Sequence, residues 1–215
     1  MPFHWAPDAV IRGPYTLSKM PKPQVVELHI AQDAEADAFL SQDPFHLVVG
    51  MVLDQQVPLE WAFGAPKELS RRLGTPLDAK GLAAMDPEQL TAVFAQKPSL
   101  HRYPASMAKR VQALAVDLVE HYGGDTTNIW SDARDGKELL GRVKALPGFG
   151  DQKARIFVAL LGKQLGVRPA GWVDASAPYG EAGSFRSVAD IVDGASLLKV
   201  REYKTAMKAA AKSST

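Results

Sequence analysis

The sequence predicts an all-α fold, and three observations carry that prediction. Apolar residues recur at helical spacing, most clearly Val111, Leu114, Ala115, Leu118, Val119 and Tyr122. Helix starts are marked by Asp-Pro pairs such as Asp43-Pro44 and helix stops by glycines such as Gly123-Gly124. No segment alternates with a period of two, and there is no internal repeat or low-complexity tract.

Taken in order, residues 1–24 hold five prolines and little periodicity and read as a loosely held arm, with Met20 as an alternative start. Asp33 to Leu40 is expected to form a short helix. Asp43-Pro44-Phe45 opens a stronger one, with Asp as N-cap and Pro at the first helical position. Its body, Leu47 to Leu53, is apolar on every side, as in a helix buried at the centre of a fold. The β-branched content of that run leaves a strand as the competitor, but Asp54-Gln55-Gln56 is expected to continue the helix until Pro58 ends it. Short helices are expected near Ala65–Leu73, Gly81–Ala84 and Pro87–Ala95. Pro104 then begins the long amphipathic helix closed by Gly123-Gly124, residues 125–136 read as a polar loop, and Lys137–Ala145 as a helix. Leu146-Pro147-Gly148-Phe149-Gly150 is a tight turn, after which Asp151 is expected to cap a helix running to about Gly166. Residues 167–186 read as irregular. A last helix spans roughly Ala195–Lys212, with Leu197, Val200 and Met207 facing inward and Lys204, Lys208 and Lys212 in a stripe.

Composition narrows the chemistry. The chain of 215 residues is long enough for one compact domain or two small lobes, and its 46% apolar content is that of a globular protein. It has no cysteine, which excludes disulfides, thiolate metal sites and iron–sulfur clusters. Its five histidines form no H-x-H or H-x-x-x-H pair, so no metal site is expected and each His reads as a surface or satisfied polar residue. No apolar run has the length of a membrane span and no signal sequence opens the chain, so a cytoplasmic protein, nucleoid-associated if bacterial, is expected. Formal net charge is only +1, yet residues 97–172 hold twelve Lys/Arg against seven Asp/Glu. A basic segment on an otherwise acidic chain suits one anion-facing surface, with a solvated helix face as the plainer alternative.

The two-glycine turn is the strongest single signal. Gly148 and Gly150 allow backbone to approach a ligand without a side chain in the way. The amides at the start of the following helix point outward, where the helix dipole favours an anion. Lys153, Arg155 and Lys163 sit on or near that helix and add charge suited to a nucleic-acid backbone. A turn that merely packs two helices is the alternative. Asp174 follows the turn after an apolar helix and a Gly/Pro loop. A carboxylate there suits a reaction that builds positive charge on a sugar, because it stabilises the cation and orients a water. Capping of its own loop is the other reading, with Asp190 and Asp193 as fallback carboxylates.

Three blocks together resemble the helix-hairpin-helix base-excision DNA glycosylases related to endonuclease III. Asp43-Pro44-Phe45 through Leu53-Asp54-Gln55-Gln56 is similar to that family's N-P-F-x-L-L-x-A-x-L-L-S-x-Q helix. Tyr103-Pro104-Ala105-Ser106-Met107-Ala108-Lys109 is similar to its Y-x-x-K-A segment, and Leu146-Pro147-Gly148-Phe149-Gly150 through Ala154, then Val173-Asp174, to its hairpin and catalytic loop. The blocks run from about residue 43 to 174.

The resemblance implies a two-lobed fold, a helical barrel of about 43–165 against a lobe built from about 25–42 and 166–215, working as a monomer on double-stranded DNA that contains a lesion or mismatch. It implies that Leu146, Gly148, Phe149, Gly150, Gln152, Lys153 and Arg155 meet DNA, that Gln56 fills the gap left by a flipped base (Gln55 being the neighbouring alternative), and that Asp174 is the catalyst. Trp172 and Tyr103 are the preferred stacking candidates among Phe45, Trp61, Tyr103, Trp130 and Trp172. No cofactor is implied beyond a sodium or potassium ion on the turn carbonyls. Bifunctional members carry a lysine two residues after the second glycine, where this chain has Gln152. A side chain one step further along a helix points about 100° away, so Lys153 is expected to contact phosphate. The implied reaction is hydrolysis of the N-glycosidic bond without strand cleavage. A glycosylase-like protein that grips bent or damaged DNA without cutting it is the alternative, fed by a stretch from Leu146 to Asp174 about four residues longer than in endonuclease III and by Ala175-Ser176 in place of the usual T-H. A helical protein-binding scaffold is the third reading.

Overall fold

The computed structural model describes residues 27–213, and the expected arm, 1–24, lies outside them. The described residues are helical and contain no strand, as the sequence predicts. The α-helices are α1 (Ala34–Gln42), α2 (Pro44–Leu53), α3 (Leu59–Leu73), α4 (Ala79–Ala84), α5 (Pro87–Ala95), α6 (Pro104–Tyr122), α7 (Gly136–Ala145), α8 (Asp151–Gln164), α9 (Trp172–Ala175) and α10 (Gly194–Ser213). Two 3-10 turns, Thr126–Ile129 and Val188–Asp190, complete the framework.

Local chemistry sets most boundaries. Asp33, Asp43, Asp78, Asp86 and Asp135 each precede a helix, and each side chain accepts an amide of that helix's first turn. Gly74 and Gly123 end α3 and α6 in the left-handed conformation that glycine adopts without strain. α2 is buried along almost its whole length, packing on α1, α3 and α6. That burial satisfies a helix apolar on every side.

Several expectations change. α2 stops at Leu53, so Asp54-Gln55-Gln56 leaves the helix, and Gln56 takes a left-handed φ of 56°. Pro58 disfavours helix at the residue before it, and the buried His101 engages the carbonyls of Leu53 and Gln55 in place of helical amides. α3 begins six residues earlier than Ala65 and carries Pro66 in its interior. Residues 167–186 contain the single turn α9. Gly150, not Asp151, is the N-cap of α8. Met207 is 52% exposed, because α10 is packed through Leu197 and Val200 and its later residues project past the core.

The helices share one buried apolar cluster that reaches from Leu28 to Val200. Within it α1 packs on α2 and α3, while α7, α8 and α9 pack on one another and α8 on the Val188–Asp190 turn. Helix contacts therefore gather as α1–α6 and α7–α10. No helix among the described residues is long and apolar enough to cross a membrane.

A candidate nucleic-acid interface at the α7–α8 hairpin

The turn between α7 and α8 separates its residues into core and surface. Leu146 and Phe149 point inward, 2% and 6% exposed, and Phe149 meets Phe157 edge-on with ring centroids 5.6 Å apart. Their expected contact with DNA is thus restricted to backbone. The Phe149 amide is already used, donating to the Leu146 carbonyl at 3.1 Å.

Gly148 has a φ of 88°, and a Cβ added there would stand 3.3 Å from Val52, so the fold itself calls for glycine. Gly150 is different: its φ is −86°, and an added Cβ would meet nothing within 4 Å. Packing makes no demand for glycine at 150. The amides beyond it open α8, and no side chain caps them. Unbonded first-turn amides are the groups that bind anions at a helix start.

Charge around the turn is partly spent. Asp151 pairs with Lys144 at 2.7 Å and with Arg155 at 2.8 Å, and these partners hold its carboxyl below the usual carboxylate range. Arg155 also donates to the carbonyls of Ala175 and Ala177. Lys163 pairs with the buried Asp190. Both cations were expected on an anion-facing surface, and both hold the fold instead. Arg134 and Arg142 are likewise paired, with Glu138 and with Asp132 and Glu138 respectively. These pairs use carboxylates of the same segment, so its excess of positive charge is reduced only by the pairing of Lys163 with Asp190.

Lys153 does not reach outward as a simple phosphate contact either. Its ammonium donates to the carbonyls of Met51 and Val52 at the end of α2, and burial pushes its pKa down to about 8 against the pull of Asp54. Gln152 donates to the Tyr179 hydroxyl at 2.9 Å.

The hairpin and the end of α2 meet. A shallow hollow of about 710 Å³ is bordered by Gly148, Phe149, Gly150, Asp151, Gln152 and Lys153 on one side and by Gln55 and Arg110 on the other. Arg110 donates to the Gln55 side chain at 2.6 Å. Gln56 stands exposed on the same corner, its side-chain oxygen 3.3 Å from the hydroxyl of the exposed Tyr103. The corner is clamped by His101, which sequence reasoning had passed over as a satisfied polar residue. Its Nδ1 accepts the Tyr103 amide at 3.0 Å, so Nε2 carries the proton and donates to the carbonyls of Leu53 and Gln55. Burial lowers its pKa and keeps it neutral.

Lys153 and Gln152 also line a narrower cleft of about 500 Å³ behind the hollow, between α8, α10 and the segment around Tyr179 to Val188. Among the described residues Asp54 is its only carboxylate. Burial raises the Asp54 carboxyl above its ordinary range despite Lys204 and Lys153 nearby. Lys204 and Lys208, two members of the stripe expected to serve solubility, stand on the rim with Met207.

Asp174 is elsewhere. It is exposed on α9 and lines neither hollow nor cleft. α9 is held by Trp172, whose ring lies where a Cβ of Gly162 would be, and by Gly136, where a Cβ would overlap the Trp172 backbone. Trp172 is therefore a packing anchor rather than a wall of a pocket. The other end of α9 lies by the start of α8, where the Ala175 carbonyl accepts from Arg155, itself paired with Asp151 beside the hairpin. The fallback carboxylates are committed as well. Asp190 is buried and accepts from Lys163, Ser184 and the Arg186 and Ser187 amides, and Asp193 accepts from Ser196 at the start of α10. Phe45 is in the core, and Trp130 packs edge-on against Phe157.

The implied monovalent cation would sit on the carbonyls of this turn. The Leu146 carbonyl accepts the Phe149 amide, and the one adjacent carboxylate, Asp151, is paired twice. Among the described residues no group of three His, Cys, Asp or Glu is placed to hold a metal. In comparisons with known proteins, no family model, no curated protein and no solved structure matches the chain.

Proposed function

We propose that this chain is a base-excision DNA glycosylase that acts as a monomer on duplex DNA carrying a damaged or mismatched base and leaves an abasic site. The carrying observation is the convergence of two separate blocks on one hollow: the uncapped start of α8, with Gly150 open to solvent, and the Gln55–Gln56 corner. A DNA phosphate at the hairpin receives backbone amides, with Arg110 and Lys153 adding positive potential. Gln56, exposed and held in a left-handed conformation, is the residue offered to the gap in the base stack. Gln152 cannot act as an amine nucleophile, and the Lys153 amine is turned to the main-chain carbonyls of Met51 and Val52. Both features support hydrolysis over a Schiff-base route with strand cleavage.

The second reading, a protein that grips bent or damaged DNA without chemistry, is favoured by the position of Asp174 away from the cleft. Gly150→Glu tests the grip. It keeps the wild-type unfolding temperature, since its side chain enters open space, and it weakens duplex affinity by about 30-fold, near 2 kcal/mol. DNA affinity that is indifferent to Gly150 favours a protein-binding scaffold. A panel of lesion-bearing duplexes, scored for alkali-labile abasic sites, separates the two DNA-binding readings: binding with no abasic product across the panel leaves only the non-catalytic one.

A further inference from the structure

We propose that Asp54, at the foot of the cleft between α8 and α10, is the carboxylate that faces the sugar of an extrahelical nucleotide, in the role the sequence assigns to Asp174. The proposal rests on the glycosylase reading and adds the site at which its chemistry occurs.

Elimination and geometry both lead there. Asp151, Asp190 and Asp193 are engaged in ion pairs or caps, and Asp174 stands outside the cleft. Asp54 alone lines the cleft as an acid, and its carboxylate has no hydrogen-bond or ion-pair partner among the described residues. A half-buried carboxylate left without a partner signals function more often than structure. Its backbone is nevertheless firmly placed. The Asp54 amide donates to the Gly50 carbonyl at 3.0 Å, and His101 holds the carbonyls of the residues on either side, Leu53 and Gln55. His101 is thus a positioning residue.

The surroundings suit a single nucleotide. Met51 and Ile156 supply apolar surface, Tyr179 and Tyr203 offer aromatic rings, and Lys204 and Lys208 stand at the rim where flanking phosphates would lie. The cleft volume falls within the range of sites that enclose small molecules. Gln152 and Lys153 border both hollow and cleft, so a nucleotide turned out of a duplex held at the hairpin has a short path inward.

In the reaction the C1′–N bond breaks, and its electron pair leaves on the base. Positive charge on C1′ and the ring oxygen is stabilised by the Asp54 carboxylate. Water adds to C1′ and gives a proton to Asp54, and the departing base takes one proton from solvent. The net change is addition of one water.

The test uses two duplexes, one with a cationic pyrrolidine in place of the sugar at the abasic position and one with a neutral tetrahydrofuran there. Wild-type protein is expected to hold the pyrrolidine duplex at least tenfold tighter. Asp54→Asn abolishes that preference while Asp174→Asn retains it, with thermal unfolding as the check on folding. Ile156→Trp, which fills the cleft and leaves Asp54 in place, also loses the preference while still binding the tetrahydrofuran duplex. A wild-type protein without preference, or a preference that survives Asp54→Asn or the filled cleft, overturns the assignment and leaves the DNA-binding reading standing. Failure to bind either duplex overturns both.

Discussion

At its N-terminal end α8 meets the Leu146–Gly150 turn, and near its C-terminal end it meets α9 through Trp172; each junction depends on a glycine of a different kind. Gly150 leaves open space that nothing in the fold occupies, whereas Gly162 leaves a space that Trp172 fills. Around the first junction lie uncapped amides, a strained and exposed Gln56, and the Asp54 carboxylate, without a partner among the described residues. The second junction is consumed by packing: Trp172 on Gly162, and α9 against the start of α7. Polar groups left unsatisfied beside a cavity are available to a ligand, and those engaged in packing are not. The comparison teaches that one continuous stretch of sequence can supply a surface for binding at one end and a structural clasp at the other.

The largest expected effect would break the clasp. Gly162→Ala gains about 1 kcal/mol of helix propensity but drives a methyl into the Trp172 ring, for which overpacking costs of about 3 kcal/mol apply. A net loss near 2 kcal/mol in denaturant unfolding is expected, with duplex affinity per folded molecule unchanged. A stabilised variant would show that Trp172 is not the anchor.

An effect of comparable size, spread over pH, sharpens the other end. The pKa of Lys153 falls from 10.5 to about 8 on folding, so between those values the unfolded chain holds a proton that the folded chain has released. Stability must then rise with pH across that window and be flat below it, by roughly 3 kcal/mol. The charged groups acting on Lys153 are Asp54, which opposes the shift, and Arg110, which adds to the burial that causes it. Unfolding midpoints at pH 7.5, 9 and 10 should diverge from those of Lys153→Met, which cannot titrate; parallel profiles would place Lys153 in water.

The smallest effect concerns Gln56. Glycine relieves its left-handed backbone, so Gln56→Gly is expected to stabilise the fold by about 0.5–1 kcal/mol. The same change should weaken binding to a duplex with an extrahelical base more than to an intact one. Equal affinity loss for both duplexes would reduce Gln56 to an ordinary surface residue.

Much of the framework is legible from local signals. Asp43-Pro44 and Asp86-Pro87 mark helix starts, Gly123 marks a stop, and the apolar run from Leu47 to Leu53 foretells the buried α2. The Leu146–Gly150 turn is equally legible, because its glycines act through their own backbone angles. The candidate site is less so. Asp54 reads in the sequence as one more residue of a helix, and nothing in its neighbours says that α10 will arrive to close a cleft over it. Asp174 reads as the continuation of the hairpin, yet its distance from the turn depends on how α9 docks, and that is decided by Gly136 and Gly162.

What the sequence alone determined is therefore short-range: helical class, helix ends, the two-glycine turn and the absence of thiol chemistry, each set by backbone preferences or by which side chains exist. Only tertiary structure decided which cations remain unpaired, which glycine is free of the fold, and which carboxylate lines the cleft. Those properties depend on burial and on partners distant in the chain, such as His101 for the Asp54 corner and Asp190 for Lys163, and no local pattern encodes them.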